Sequence, residues 1–225
     1  MTYAIILDTE TNDIENAEVI ELAWGELGER FSSPFVKGAH YRFLPTRPIK
    51  WGALATHHIF GTDLLGKPPS STALKMVPEA KYWIGHNIDF DWKALGSPPG
   101  VKRICTLALS RSLFPEVDSH TLTAMTYFFQ GANAATREKV RAAHSAEQDI
   151  ELTRELFTSL CDVLDKTSLE AIYLASEEAR IPRIWPFGKF KGQPIAAADK
   201  GYAAWCRKQP DFDSHVLEAL RRAGL

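Results

Sequence analysis

The chain has 225 residues, 45% hydrophobic and 24% charged, ordinary globular usage that excludes wholesale disorder, collagen-like repetition and low-complexity architecture. Its 26 Lys and Arg stand against 28 Asp and Glu, a formal net charge of −2, so it is no globally basic coat for nucleic acid, and any phosphate must be met by a local patch or by metal ions. Cys105, Cys161 and Cys206 are far apart and read as free thiols in a reducing compartment; with no basic leader and no apolar run near ~18 residues, the expectation is a soluble, cytoplasmic protein without membrane contact.

Tyr3-Ala4-Ile5-Ile6-Leu7 is a nearly continuous run of β-formers and predicts a strand buried on both faces. Glu18 to Trp24 has the same character, and Ala39 to Leu44 alternates more. Asn12-Asp13, then Gly25 and Gly28, mark reversals and predict an antiparallel meander. After Pro45 and Pro48 the chain turns irregular. Lys81 to Gly85 reads as a further strand, Asp89 to Leu95 as a short helix, and Val101 to Ile104 as a brief strand. Thr106 to Leu113 and Leu122 to Gln130 read as helices. Ser145-Ala-Glu-Gln148 has capping-box spacing ahead of a helix carrying Ile150, Phe157, Leu160, Cys161 and Leu164. Thr167-Ser-Leu-Glu170 is a second such box, opening a helix that ends near Pro182. Strands first, then strand and helix in alternation, predict an α/β sheet with helices on both faces. The boundary falls near Lys166. It leaves residues 1–166 as the main domain and 167–225 as an extension, short for an independent domain and expected to pack on the main one.

Residues two apart on a strand share a face, so Asp8 and Glu10 point the same way from an otherwise apolar strand end. Crowded carboxylates repel unless a cation lies between them, and hard cations such as Mg²⁺ take oxygen ligands; an ordinary polar strand end would show the same pair. A second cluster, His86-Asn87-Ile88-Asp89-Phe90-Asp91, follows a strand end. Asp89 and Asp91 lie about 200° apart on a helix, so only one faces a given site, and Phe90 is expected on the buried side. Acids complementing the helix dipole would account for one of the two. In the third cluster, with Ser145 as cap, His144 lies just outside the helix and Asp149 in its first turn. That suits a proton acceptor beside a fixed ligand, and equally a surface histidine beside a dipole-complementing aspartate.

Together these clusters resemble the DEDDh 3′→5′ exonucleases, whose motifs are Asp-x-Glu on the first strand, His-Asn-x-x-Phe-Asp and His-x-Ala-x-x-Asp. All three occur in order within residues 3–165, and Thr56-His57-His58-Ile59 is similar to the family's histidine segment. Thr11-Asn12-Asp13-Ile14 departs from the glycine common in that turn, where Asn and Asp tolerate left-handed backbone. Within the family the chain looks most like the exodeoxyribonuclease X branch, through residues 104–111 and the Pro186-Phe187-Gly188-Lys189-Phe190-Lys191-Gly192 tail with Gly201 to Trp205 beyond it.

The resemblance implies a ribonuclease H-like mixed five-stranded sheet flanked by helices, with a small C-terminal extension. It implies hydrolysis of DNA from 3′ ends, single-stranded or frayed, to nucleoside 5′-monophosphates in repair or proofreading. Two Mg²⁺, replaceable by Mn²⁺, would sit roughly 4 Å apart. Asp8 would bridge both ions, Glu10 and Asp149 hold one, Asp91 hold the other, and His144 act as base near neutral pH. Thr9, Thr11, Ile14, His57, His86 and Asn87 would line the substrate pocket. Lys189 and Lys191, alternating with Phe187 and Phe190, have the composition of a phosphate-holding, base-stacking loop; a glycine-bounded hairpin packed through its aromatics fits the same residues. An exoribonuclease of the same family and a non-catalytic nucleic-acid-binding accessory are the alternatives. Glu21 reads as a strand residue with a local partner, Trp24, Trp83 and Trp92 as core, and His40, His120 and His215 as surface.

Overall fold

The computed structural model describes residues 2–28, 35–36, 38–141, 145–210 and 212–225. The first apolar run becomes β1 (Thr2–Thr11), which pairs antiparallel with β2 (Val19–Glu26); β2 pairs antiparallel with β3 (Gly38–Arg42). This is the expected meander. Gly25 lies inside β2, opposite Ile6, rather than at a reversal. On its other side β1 pairs in parallel with β4 (Ala80–Gly85), and β4 with β5 (Lys102–Cys105), so the mixed sheet runs β3-β2-β1-β4-β5. β1 outruns β4: their pairing stops at Ile6 with Ile84, whereas pairing with β2 continues to Thr11 through an irregularity after Glu10.

Helices cover the sheet among the described residues. α1 (Trp51–His57) lies where the prolines suggested irregular chain; its N-cap, Lys50, makes no side-chain cap, and so left no local signal. α2 (Ile88–Ala94), α3 (Thr106–Leu113) and α4 (Leu122–Gln130) match the expected segments; α5 (Ala134–Arg141) was not foreseen. α6 (Ala146–Leu164) begins as expected: Gln148 N–H donates to Ser145 Oγ at 3.3 Å. It buries Ile150, Leu156, Phe157 and Leu160. One face of the central strands, with Ile5, Leu7, Leu22, Trp24 and Trp83, packs with Ile88 in a single core cluster. Gly85 ends β4 where the chain has no room. A Cβ there would lie 3.1 Å from the Leu7 carbonyl oxygen and 2.8 Å from Ile88 Cδ1.

α7 (Leu169–Arg180) is capped by Ser168, whose Oγ accepts the Ala171 N–H at 3.2 Å, not by Thr167. Glu170 serves elsewhere: its carboxylate takes Lys102 Nζ at 2.5 Å and the Tyr82 hydroxyl. The chain divides into two compact units, Met1–Tyr173 and Leu174–Leu225. The second has its own core, Trp185, Ile195, Ala198, Ala203, Cys206, Val216, Ala219 and Leu220, built from α8 (Lys200–Lys208), α9 (Ser214–Arg222) and the segment before them. All three cysteines are free and buried. No helix among the described residues is long and apolar enough to cross a membrane.

Candidate active site

The far end of β1 gathers acids from three elements. Asp8 and Glu10 alternate with the buried Thr9 and so share a face. Asp149, in the first turn of α6, joins them: one carboxylate oxygen from each of Asp8, Glu10 and Asp149 lies within 4.8 Å of the others. Asp91 arrives from α2. Its Oδ1 accepts both the Thr9 N–H at 2.9 Å and the Thr9 hydroxyl at 2.7 Å. That backbone donor lies on the stretch of β1 beyond β4's reach, so a carboxylate occupies the edge where a strand would otherwise pair.

The electrostatics of this cluster favour a cation. Burial first, then the charges of Asp91, Asp149, Glu10 and Glu21, push the Asp8 carboxyl well above its ordinary range. Burial, then Asp149, Glu21 and Asp91, push Glu10 up to about 8. Burial raises Asp91 to about 7 against the pull of both Thr9 hydrogen bonds, with Asp89 adding to the rise. Oxygen donors this close, half-buried and mutually repelling, fit a hard divalent ion, whose charge would restore their ionisation.

No family model matches the chain. Exodeoxyribonuclease 10 of Escherichia coli strain K12 is 26% identical over 217 residues, 94% of each chain. Exonuclease X, solved in complex with 5′-overhanging duplex DNA, superposes with a TM-score of 0.63 at 24% identity, over 76% of this chain and 99% of that one. This chain is an exonuclease X-like nuclease. Its ribonuclease H-like fold also matches E. coli exonuclease I, solved with single-stranded DNA, at a TM-score of 0.58 and 14% identity over 73% of this chain and 41% of that one.

Across the nuclease's second motif, Asp91 is buried and faces Thr9, whereas Asp89 turns to Arg103, with Oδ1 2.9 Å from Nε. Ile88 takes the fully buried position expected of Phe90, which is only partly covered. Asn87 is exposed and adopts φ 76°, ψ 38° as the residue before α2. Both ring nitrogens of His86 are engaged, Nδ1 with Thr106 Oγ1 at 3.0 Å and Nε2 with the His120 carbonyl at 2.9 Å. Burial lowers its pKa to about 4, despite that carbonyl, with Arg111 and His120 adding to the fall. His57 is buried and its Nδ1 accepts the Ile59 N–H at 2.9 Å. Its Nε2 makes no well-formed hydrogen bond, although the Thr11 carbonyl is near enough to offset part of the fall in pKa that burial causes.

In the turn after β1, Thr11 Oγ1 donates to the Asp13 carbonyl at 2.8 Å, and Ile14 is 81% exposed. Left-handed backbone falls on Asn16 rather than on Asn12 or Asp13. Asn12 is instead buried, accepting the Glu18 N–H at 2.9 Å and donating to Glu18 Oε2 at 3.0 Å. His144 lies outside the described residues. Lys189 and Lys191 are exposed in the C-terminal unit.

Glu21 is the residue that local sequence reading undervalued. It is fully buried opposite Glu10. Its Oε1 lies 2.9 Å from both Arg42 Nε and His40 Nε2, and its Oε2 accepts the Ala146 N–H at 2.9 Å. Burial opposes its ionisation, but the Ala146 N–H and the His40 and Arg42 hydrogen bonds win, holding the carboxyl below its ordinary range. His40 is therefore partnered, as are His120, bonded to the Phe114 carbonyl at 2.9 Å, and His215. His40 is exposed, as expected of a surface residue, whereas His120 and His215 are half-buried, and the contacts of His40 with Glu21 and of His215 with Glu177 join residues far apart in the chain.

Proposed function

We propose that the protein is a metal-dependent 3′→5′ exodeoxyribonuclease that hydrolyses DNA to nucleoside 5′-monophosphates, in the cytoplasm and in repair or proofreading. The observation that carries this reading is the convergence of Asp8, Glu10 and Asp149 within 4.8 Å, with Asp91 set by Thr9 beside them. The exonuclease X relative supplies the substrate class. Asp8, Glu10 and Asp149 would hold one Mg²⁺, and Asp8 with Asp91 a second. When bound, such ions neutralise charge on the scissile phosphate and acidify the attacking water. His144 accepts that water's proton. Thr9 aims Asp91, and Glu21 fixes the start of α6 so that Asp149 meets Asp8 and Glu10. His57, Thr11, Ile14 and Asn87 line the terminal nucleotide, and His86 holds the shape of the turn that presents Asn87. Lys189 and Lys191 contact phosphates. The domain boundary near Lys166 separates the catalytic part from this extension.

The test is hydrolysis of 5′-labelled DNA and RNA oligonucleotides with and without EDTA. A ladder shortening from the 3′ end on DNA, abolished by EDTA and restored by Mg²⁺ or Mn²⁺, is expected. Cleavage of RNA alone would reassign the substrate, and binding without cleavage would make the protein an accessory. His144→Ala should lower kcat by roughly 10²–10⁴-fold, with partial recovery at higher pH as hydroxide replaces the base.

A further inference from the structure

We propose that the C-terminal unit carries its own surface for a single strand of nucleic acid, with Trp205 stacking a base and Lys189 and Lys191 holding phosphates. The proposal deepens the nuclease reading and rests on it.

The surface starts from how the Phe187–Gly192 segment is held. The chain closes on itself as Trp185 N–H donates to the Gln193 carbonyl at 2.8 Å and Gly192 N–H to the Trp185 carbonyl at 2.9 Å. Trp185 is buried. Phe190 turns inward, its ring 6.0 Å from Trp185 and 5.0 Å from Tyr202 of α8. Gly188 fits only as glycine: its φ is +74°, and a Cβ would come within 2.6 Å of the Tyr202 hydroxyl oxygen. Tyr202 thus ties the segment to α8, and the lysines flanking Phe190 are left outside. Lys189 keeps 67% of its side chain exposed, with Nζ 5.1 Å from the Phe190 ring centre.

One turn further along α8, Trp205 stacks on Tyr202 with centroids 5.5 Å apart and planes 23° from parallel. The indole is still 51% exposed. Phe190, Tyr202 and Trp205 therefore form a continuous aromatic series that begins in the core and ends at solvent. A flat ring offered this way accepts any nucleobase, because every base has a π-face.

Charge in the unit is segregated. Of its described acids, Glu177, Glu178, Asp213 and Glu218 are engaged by Arg180, Arg222, His215 and Arg221 on the α7 and α9 side, and Asp199 caps α8 by accepting the Tyr202 N–H at 2.7 Å. Around the aromatic series, Lys191, Lys200 and Lys208 have no ion-pair partner among the described residues, and Lys189 only reaches to 3.9 Å from Asp199. Cations that are unpaired or, at Lys189, only loosely paired, beside an open indole, complement a strand of phosphates and bases.

The experiment uses the full chain with Ca²⁺ in place of Mg²⁺ to block cleavage. It follows the anisotropy of a labelled oligothymidylate of about 15 nucleotides, near the upper site size of such surfaces. Trp205→Ala should bind roughly tenfold more weakly and Trp205→Phe should recover most of the loss. Lys189→Ala with Lys191→Ala should flatten the log–log salt slope by about 1.4, from 0.7 per contact. Arg221→Gln removes another exposed cation, but one neutralised by Glu218, and should change neither quantity. Normal binding by Trp205→Ala, an unchanged slope in the lysine pair, or an equal drop in Arg221→Gln would overturn the proposal. So would a fall in melting temperature without a change in binding, or a Trp205-dependent preference for oligoaspartate, which would mark an acidic peptide as occupant. Cleavage by the unaltered chain decides the nuclease reading separately. A chain that cuts DNA yet binds independently of Trp205 loses only this surface, and one that binds through Trp205 without cutting loses only the activity.

Discussion

Glu21 and Ala146 are 125 residues apart in sequence, yet the Glu21 carboxylate accepts the Ala146 backbone N–H at 2.9 Å. The bond ties the second strand to the first turn of α6, three residues before Asp149. Glu21 is a positioning residue: it holds an element in place and need not touch substrate.

Glu21→Ala should therefore cost stability and rate together. It leaves the Ala146 N–H without its buried acceptor and the partly exposed Arg42 and His40 without their carboxylate, a loss of about 1–3 kcal/mol, readable in urea melts. kcat should fall while KM moves little, and Glu21→Gln, which keeps an oxygen for Ala146, should recover part of the rate. A Glu21→Ala protein of unchanged stability would remove Glu21 from this role.

Asp8→Asn should abolish hydrolysis and raise the metal-free melting temperature. The Asp8 carboxyl is held well above its ordinary range, so the native state binds this proton more tightly than the unfolded chain. Keeping that site ionised destabilises the fold increasingly as pH rises above ~4. The gain from Asp8→Asn should be larger at pH 8 than at pH 5, and the rise in melting temperature on adding Mg²⁺ should shrink. Equal melting curves with and without the substitution at pH 8 would contradict the electrostatics described.

Asp91 and Asp89 should separate cleanly. Asp91→Asn removes the carboxylate bonded twice to Thr9 and should cost several orders of magnitude in kcat. Asp89→Asn gives up a partly exposed pair with Arg103, worth about 0–1 kcal/mol, and should stay near the unaltered rate. Comparable losses in steady-state assays would mean that the helix presents the wrong aspartate.

His215 should make the C-terminal unit sensitive to alkali. Hydrogen bonding to Asp213 and then to Glu177 raises its pKa to about 9, against burial and the Arg180 charge. A raised histidine stabilises fully below its unfolded pKa of ~6.5, and that contribution is lost as pH rises through about 9. The melting-temperature difference between the unaltered chain and His215→Gln should shrink across this interval. A difference constant from pH 6 to pH 10 would refute the assignment.

The strands and the three acid clusters were legible because their signals are local: a continuous apolar run, a carboxylate pair at i and i+2, a serine at the head of α6. Helix α1 was not, because Lys50 provides no side-chain cap and prolines precede it. Thr167 looked as good a cap as Ser168, and only the geometry of the Ala171 N–H separates them. Glu21 was read as a strand acid with a local partner because the Ala146 N–H it meets is over a hundred residues away. His40 likewise meets Glu21, and His215 meets Glu177, only through tertiary packing.

The unequal lengths of β1 and β4 are as much a part of this site as any acid. Had β4 kept pace, its carbonyls would have met the edge of β1 and Asp91 would have nothing to hold. Inserting two residues between Gly85 and His86 preserves the alternation of faces and lets the ladder zip further along β1. Such a variant would keep every carboxylate in the chain and lose the arrangement they depend on. Evolution and engineering of this nuclease are therefore constrained at that junction by residue count as well as by residue type.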